Sequence, residues 1–347
     1  MSQMDGRVLK GLGRIALTWL MAAAAGAHAA PEPADLAVQA REAWAKRDRK
    51  RLATLTDSAR AQNHPLAGWV EYFDLNARLY QVSQPEMDAF YARYPGSYVE
   101  DRLRNDWLLE LGRRRDWAGF KRDHATYQMR DDREVHCYTL LAEQATGGKL
   151  SPEAAREAWF AQKDADEGCR ALAAALVEAG VFKHDTLWAR ARQAQEQGRT
   201  LAVRQAVALL DSKPLSQKLV ELQDNAGRYL TRKARTTPRA EAELTTLALA
   251  RVAASNPDQA GDLLRDKWRG LPKDLQAWLW VQIGRQSALR LQDDAPAAFE
   301  RARTLAPELA WSDDALAWSA RAALRAKQPA TALKAIAQMS DVEQRDP

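Results

Sequence analysis

Three isoleucines (Ile15, Ile283, Ile336) and fourteen valines in 347 residues leave little with which to cover a β-sheet. Pleated sheets are built largely from β-branched and aromatic side chains. Ala, Leu, Arg and Gln take their place here, and these residues lose little freedom in a helix. Turn punctuation is sparse as well, since 17 Gly and 14 Pro fall below the average usage of about 7% and 5%. The composition therefore excludes an all-β or α/β fold and predicts an all-α one. Hydrophobic residues make up 46% but the mean hydropathy is −0.51, because much of the apolar share is Ala. No segment has the roughly 18 apolar residues that a membrane-spanning helix needs.

Helix start signals recur from residue 35 to the end. Ser83-Gln84-Pro85-Glu86 and Ser97-Tyr98-Val99-Glu100 fit the capping box, in which Ser accepts an amide of the first turn and Glu reaches back. Ser151-Pro152, Thr237-Pro238 and Asn256-Pro257 place a cap residue before a proline at the first helical position, where its missing N–H costs nothing. Gly180, Gly198 and Gly270 sit where a left-handed residue would stop a helix. These signals predict roughly fifteen helices of ordinary globular length joined by short turns. Such helices bury one face each, so stacked antiparallel hairpins, an αα-superhelix or solenoid, are the economical arrangement. Ala288-Leu289-Arg290 with Ala297-Ala298-Phe299 recurs as Ala323-Leu324-Arg325 with Thr331-Ala332-Leu333, an offset near the roughly 34-residue tetratricopeptide period. The expected organisation is irregular hairpins to about residue 236 and tetratricopeptide-like repeats over about 237–347. The last expected helix, Ala330 to Met339, carries Leu333 and Ile336 with little after it to cover them.

Residues 1–29 read as an export signal. Arg7, Lys10 and Arg14 precede the apolar run Ile15 to Ala25, and Ala27-His28-Ala29 matches a small-x-small cleavage site. A periplasmic location follows as the expectation, with the superhelical domain over 30–347. Such a compartment would allow the two cysteines, Cys137 and Cys169, to form one disulfide. The alternative is two separate buried thiols acting as small hydrophobes.

The charge balance, 51 Lys and Arg against 46 Asp and Glu, is nearly even and alternates along most segments. That pattern describes solvated helix faces rather than the one-sided basic patch of a nucleic-acid binder. HExxH, GxSxG, GxxxxGK[ST] and a usable GxGxxG do not occur. Outside the signal, His64, His124, His136 and His184 lack carboxylate or Cys partners at ligand spacing and read as surface or packing residues. The pairs Asp131-Asp132, Asp293-Asp294 and Asp313-Asp314 read as first-turn charges favoured by the helix dipole. No catalytic residue, metal or cofactor is expected. The tryptophan count of twelve is high. Trp107, Trp117, Trp159, Trp188, Trp268 and Trp318 lie at helical spacing among Leu and Ala and read as core. Trp278 and Trp280, two apart, cannot share one helix face. One of them is expected to be partly exposed, which makes the pair the candidate glycan contact, since exposed indoles stack on sugar faces.

Several segments in order resemble the N-terminal superhelical domain of the soluble lytic murein transglycosylases. These are His64-Pro65-Leu66-Ala67-Gly68-Trp69-Val70-Glu71-Tyr72, Arg93-Tyr94-Pro95-Gly96-Ser97-Tyr98, and Asp101 to Leu108. Gly112 to Phe120, with its Asp116-Trp117, and Glu134 to Tyr138 with Cys169 are similar to the family's early disulfide-bearing hairpins, and Asp274 to Trp280, Arg285 to Arg290 and Ala317 to Leu324 to its later helices. The resemblance implies a U- or ring-shaped α-superhelix in a periplasmic enzyme. That enzyme cleaves the β-1,4 bond between muramic acid and glucosamine in peptidoglycan and leaves a 1,6-anhydromuramic end. In that family a single Glu in a separate lysozyme-like domain serves as acid and then base. Its Glu-Ser and Gly-Leu-Met-Gln motifs are not in this chain, so the chain is expected to be the glycan-positioning scaffold, inactive alone. The implied partners are peptidoglycan glycan strands, a C-terminal catalytic domain and other cell-wall enzymes, with no nucleic acid. The alternative expectation is a non-catalytic periplasmic tetratricopeptide-like binding or recruitment protein.

Overall fold

The computed structural model describes residues 33–162 and 165–345. The export signal expected over 1–29 lies outside the described residues. Among these residues there are nineteen α-helices, two short 3-10 turns and no strand, so the all-α expectation holds. The helices outnumber the expectation in part because the short α6 (Trp117–His124) and α13 (Ala226–Arg232) start at lone Asp116 and Asn225 caps with no Pro beside them, whereas α4 (Gln84–Arg93) and α19 (Pro329–Ile336) carry the Pro85 and Pro329 signals.

Two compact units divide within α4, one ending at Ala89 and one beginning at Phe90. In the first, α1 (Pro33–Ala45), α2 (Arg49–Ala61) and α3 (Ala67–Ala77) pack pairwise. Leu36, Ala40, Ala43, Leu52, Leu55 and Val70 form their core. Glu71 on α3 is buried with them, and Arg60 on α2 donates to both its oxygens, which meets the demand of a buried charge for a bidentate partner.

The second unit opens with α5 (Tyr98–Arg114), α6, α7 (Arg133–Ala145), α8 (Pro152–Ala161) and α9 (Glu167–Glu178). Cys137 and Cys169 form the disulfide that joins α7 to α9. Beside it the Tyr138 ring is wedged between Gly112 of α5 and Gly168 of α9. A Cβ on Gly112 would lie 2.5 Å from that ring, and one on Gly168 would lie 2.8 Å from Glu134. Neither position has room for a side chain. Asn105 of α5 accepts from Tyr127 Oη (2.6 Å) and donates to Asp132 (3.0 Å), so the buried polar atoms at this junction are paired.

Five hairpins follow: α10 (His184–Glu196) with α11 (Thr200–Ala208), α12 (Lys213–Asp224) with α13, α14 (Arg239–Ser255) with α15 (Pro257–Asp266), α16 (Lys273–Leu289) with α17 (Ala295–Leu305), and α18 (Asp313–Arg325) with α19. From α10 on, each helix packs mainly on the next and the next but one, as nearest-neighbour stacking requires. Helices α14 and α16 are sandwiched on several sides and each buries eleven of 17 residues. The repeat read from the sequence matches α16–α17 and α18–α19. Its closing arginines both reach back one hairpin, Arg290 to the Ala254 carbonyl at the end of α14 (2.8 Å) and Arg325 to Asp293 just after α16 (3.2 Å). Leu333 is exposed, whereas Ile336 packs on the Ala320, Ala323, Ala332 and Ala335 cluster.

The caps show where the sequence signals applied. Ser97, Ser151 and Asn256 accept first-turn amides as expected. At Ser83 only the return half forms, its N–H donating to Glu86 (2.9 Å). Pro238 follows a cis peptide bond and precedes the helix, which starts at Arg239, so it is not at the first helical position. Gly180 and Gly198 are left-handed; Gly270 is not, and Arg47, Asn63, Arg115, Leu291 and Lys327 take that conformation instead.

Gly112→Ala is expected to lower stability by about 1–3 kcal/mol, the usual cost of overpacking. Gly227→Ala, whose Cβ would meet only Asn225 Oδ1 at 3.7 Å, should leave the urea midpoint unchanged or raised. Replacing both cysteines should cost about 3–4 kcal/mol on the chain-entropy model, given the 32-residue separation.

Candidate functional site

In the second unit the C-terminal ends of α10, α12, α14 and α16 meet around an open groove of about 810 Å³. Helix C-termini present carbonyls without intrahelical partners and the negative end of the helix dipole. Arginines answer part of that demand. Arg251 of α14 donates to the Gln223 carbonyl at the end of α12 (2.7 Å), and Arg290 covers the end of α14.

Six glutamines line the groove, Gln195, Gln197, Gln223, Gln259, Gln282 and Gln286. On α16 the spacing of Trp278, Gln282 and Gln286 puts all three on one face. A carboxamide is donor and acceptor in one uncharged group, so this lining suits hydroxyl and acetamido groups better than phosphate. Gln223 is engaged, accepting from Arg204 (2.5 Å). Gln282 is 5% exposed, and its buried amide faces the Glu196 carboxyl rather than the open groove. The groups open to the groove are therefore the amides of Gln195, Gln197, Gln259 and Gln286, which are half-buried or exposed.

Glu196, half-buried at the end of α10, is the acid nearest the Gln282 amide. Burial pushes its carboxyl above the ordinary glutamate range, against the hydrogen bond from Ser312 and the nearby Arg285 charge. Ser312, the N-cap of α18, donates to Glu196 across 116 residues of sequence. Arg285 is itself paired with Asp314. Glu196 thus ties α10 to α18. Glu196 and Asp224 are the carboxylates of the groove lining, and the described residues contain no cluster of potential metal ligands.

The tryptophans fall differently from expectation. Trp278 and Trp280 are both buried, at 8% and 5% exposure. The expectation of one exposed indole fails because α16 has helices on opposite sides. Arg265 of α15 and Arg301 of α17 both lie over the Trp280 ring, with guanidinium carbons 5.7 and 4.9 Å from its centroid. Trp107, Trp159, Trp188 and Trp268 are core as expected, while Trp117 and Trp318 are half-buried. Among the described tryptophans only Trp44 is exposed. The histidines are packing or surface residues: His64 accepts from the Leu66 amide (3.0 Å), His124 stacks on Phe120, and His136 and His184 face solvent. Asp132 caps α7 and Asp313 and Asp314 lie in the first turn of α18.

No protein-family model and no curated protein matches the sequence. Among solved structures, an inactive mutant of the lytic transglycosylase Slt from Pseudomonas aeruginosa is similar over 90% of this chain and 50% of that one, with a TM-score of 0.55 and 21% identity. The fold is one that a soluble lytic transglycosylase has. The 70-kDa soluble lytic transglycosylase of Escherichia coli is also similar, at a TM-score of 0.47 and 18% identity over 91% of this chain and 51% of that one. The chain thus spans about half the length of the lytic transglycosylases it matches. The likeness read from the sequence is confirmed as one of fold.

Because the folded-state value of Glu196 lies above its unfolded one, the folded chain binds more protons between the two values, and stability falls as pH rises through that interval. Glu196→Gln, which keeps an acceptor for Ser312, should therefore gain stability relative to the parent as pH rises through the ordinary glutamate range. Urea midpoints measured across that range should diverge upward, and parallel midpoints would contradict the assignment.

Proposed function

We propose that this chain is the superhelical, glycan-positioning part of a periplasmic peptidoglycan lytic transglycosylase. The observation that carries the reading is the fold, shared with Slt of Pseudomonas aeruginosa over 90% of the chain. In such an enzyme the muramic acid to glucosamine β-1,4 bond is broken with formation of a 1,6-anhydromuramic end. There the catalytic Glu belongs to a lysozyme-like domain, and the superhelix holds the strand against it. Holding a substrate in reactive geometry is a large part of a rate enhancement. The amide-lined groove supports the reading, since its groups match the hydroxyls and acetamido groups of a neutral sugar. The export signal over 1–29 and the cell-wall partners belong to the same proposal.

The test is to mix the purified exported chain with sacculi, sediment them, and analyse soluble products by mass spectrometry. Saturable co-sedimentation without 1,6-anhydromuramoyl products is expected. Such products from this chain alone would overturn the scaffold role, and absence of binding would overturn the glycan contact. Binding that persists in a cell in which no lytic transglycosylase associates with the chain would favour a non-catalytic binding protein. Gln259→Leu removes one amide of the groove lining at an exposed position. It should weaken binding about fivefold, near the net worth of one hydrogen bond, while leaving thermal stability unchanged.

A further inference from the structure

The first unit holds a second concave site, of about 550 Å³, between the end of α1, the start of α2 and the end of α3. Its walls are Trp44 and Tyr80, its floor includes Ala45 and Ala77, and its charges are Arg47 and Arg49. Trp44 is 40% and Tyr80 59% exposed. The two rings share one concavity and are rimmed by charge, the arrangement in which an exposed aromatic face serves as a stacking surface.

The indole is held in place without a ligand. Its Nε1–H donates to Asn76 Oδ1 (2.8 Å), and the Phe73 ring lies behind it with centroids 5.8 Å apart. The cost of ordering this platform is therefore met in the folded protein rather than on binding. The Arg49 guanidinium lies 5.8 Å from the Tyr80 centroid and donates to Gln81 (2.5 Å). Arg47 stands in a left-handed turn, at φ 56°, and forms no ion pair among the described residues. No acid lines the site, and Asp48, between the two arginines, spends its carboxylate on the Arg51 amide at the start of α2.

Flat apolar faces ask for a ligand ring that carries C–H bonds on one side, and two unneutralised guanidinium groups ask for an anion beside that ring. A pyranose with a carboxylate meets both. Single-stranded nucleic acid also stacks and carries charge, but its binding sites track the backbone with an extended basic groove, whereas basic and acidic residues alternate along this chain. We propose that Trp44, Tyr80, Arg47 and Arg49 bind a carboxylate-bearing sugar of a glycan strand, the muramic acid unit if the cell-wall reading above holds, on which this identification of the sugar rests.

The test is calorimetric titration of the full chain with two tetrasaccharides of the same backbone. One alternates N-acetylglucosamine with N-acetylmuramic acid bearing free lactyl carboxylates, and the other is chitotetraose, which is neutral. The muramic tetrasaccharide should bind about tenfold or more tighter, and the difference should shrink at an ionic strength of about 1 M, where exposed charges are screened. Trp44→Ala and Tyr80→Ala should each weaken binding about five- to tenfold, in line with the loss of one stacking face. Arg47→Gln with Arg49→Gln should bring the muramic tetrasaccharide down to the level of chitotetraose. Tyr80 makes no hydrogen bond among the described residues, so Tyr80→Ala keeps the test valid if Trp44→Ala unfolds the first unit. Equal affinity for the two sugars, indifference to Tyr80→Ala, or displacement by oligothymidylate would each overturn the proposal. If the chain sediments with sacculi yet the muramic tetrasaccharide does not bind, this inference fails and the cell-wall reading stands. If the tetrasaccharide binds through Trp44 and Tyr80 but sacculi are not bound, the reverse holds.

Discussion

One backbone hydrogen bond recurs at the hairpin turns and the rest of the architecture follows from it. An amide closes onto a carbonyl five residues back around one left-handed residue: Asp48 to Ala43 (2.8 Å), Asp116 to Leu111 (3.0 Å), Arg199 to Ala194 (2.8 Å), Gln292 to Ser287 (2.9 Å) and Gln328 to Ala323 (2.8 Å). The left-handed residues are Arg47, Arg115, Gly198, Leu291 and Lys327. This closure satisfies carbonyls at the end of one helix and redirects the chain within two to five residues. A helix that begins so soon must return beside its predecessor, and the pair can bury only the faces it turns inward. The outer faces are then covered by the next pair, which is why α14 and α16 are buried on several sides. Alternate helices accordingly bring their ends together, and the groove is the place where four such ends meet.

The helical class and the periodicity of the last two hairpins were legible in the sequence because both depend on residue types that act locally. Missing β-branched residues exclude a sheet wherever they are missing, and Ser, Asn and Pro cap helices within four residues of themselves. The turns were less legible. Gly198 announces a left-handed residue, but Arg47, Arg115, Leu291 and Lys327 accept that conformation at a steric cost that surrounding packing imposes, and nothing in their side chains signals it. That is part of why the helices outnumber the expectation, and why Gly270 misled.

The sites were harder to read for a different reason. Trp278 and Trp280 look like opposed faces of one helix, and in an isolated hairpin one of them would be wet. Whether it is depends on α15 and α17 both lying against α16, information held by residues such as Gly261 and Phe299 rather than by the tryptophans. The groove is assembled from glutamines on α10, α12, α15 and α16 that are each unremarkable. The exposed indole, Trp44, sits in a sequence no different in pattern from that of the buried ones. Its exposure follows from its place at the end of α1, where a turn rather than a helix comes next.

A peptidoglycan strand alternates a neutral sugar with one that bears a carboxylate, so recognising it calls for two kinds of group. On the function proposed, the amide groove supplies the first kind and the Trp44 cradle the second. The groove's one half-buried acid, Glu196, is held by Ser312 and joins α10 to α18. A carboxyl that fixes the framework is poorly placed to cycle a proton with substrate, because each protonation change would also perturb the contact it maintains. On the function proposed, recognition and cleavage would be separate, and a stack of short helices could then set where a strand lies without disturbing an acid that acts on it elsewhere.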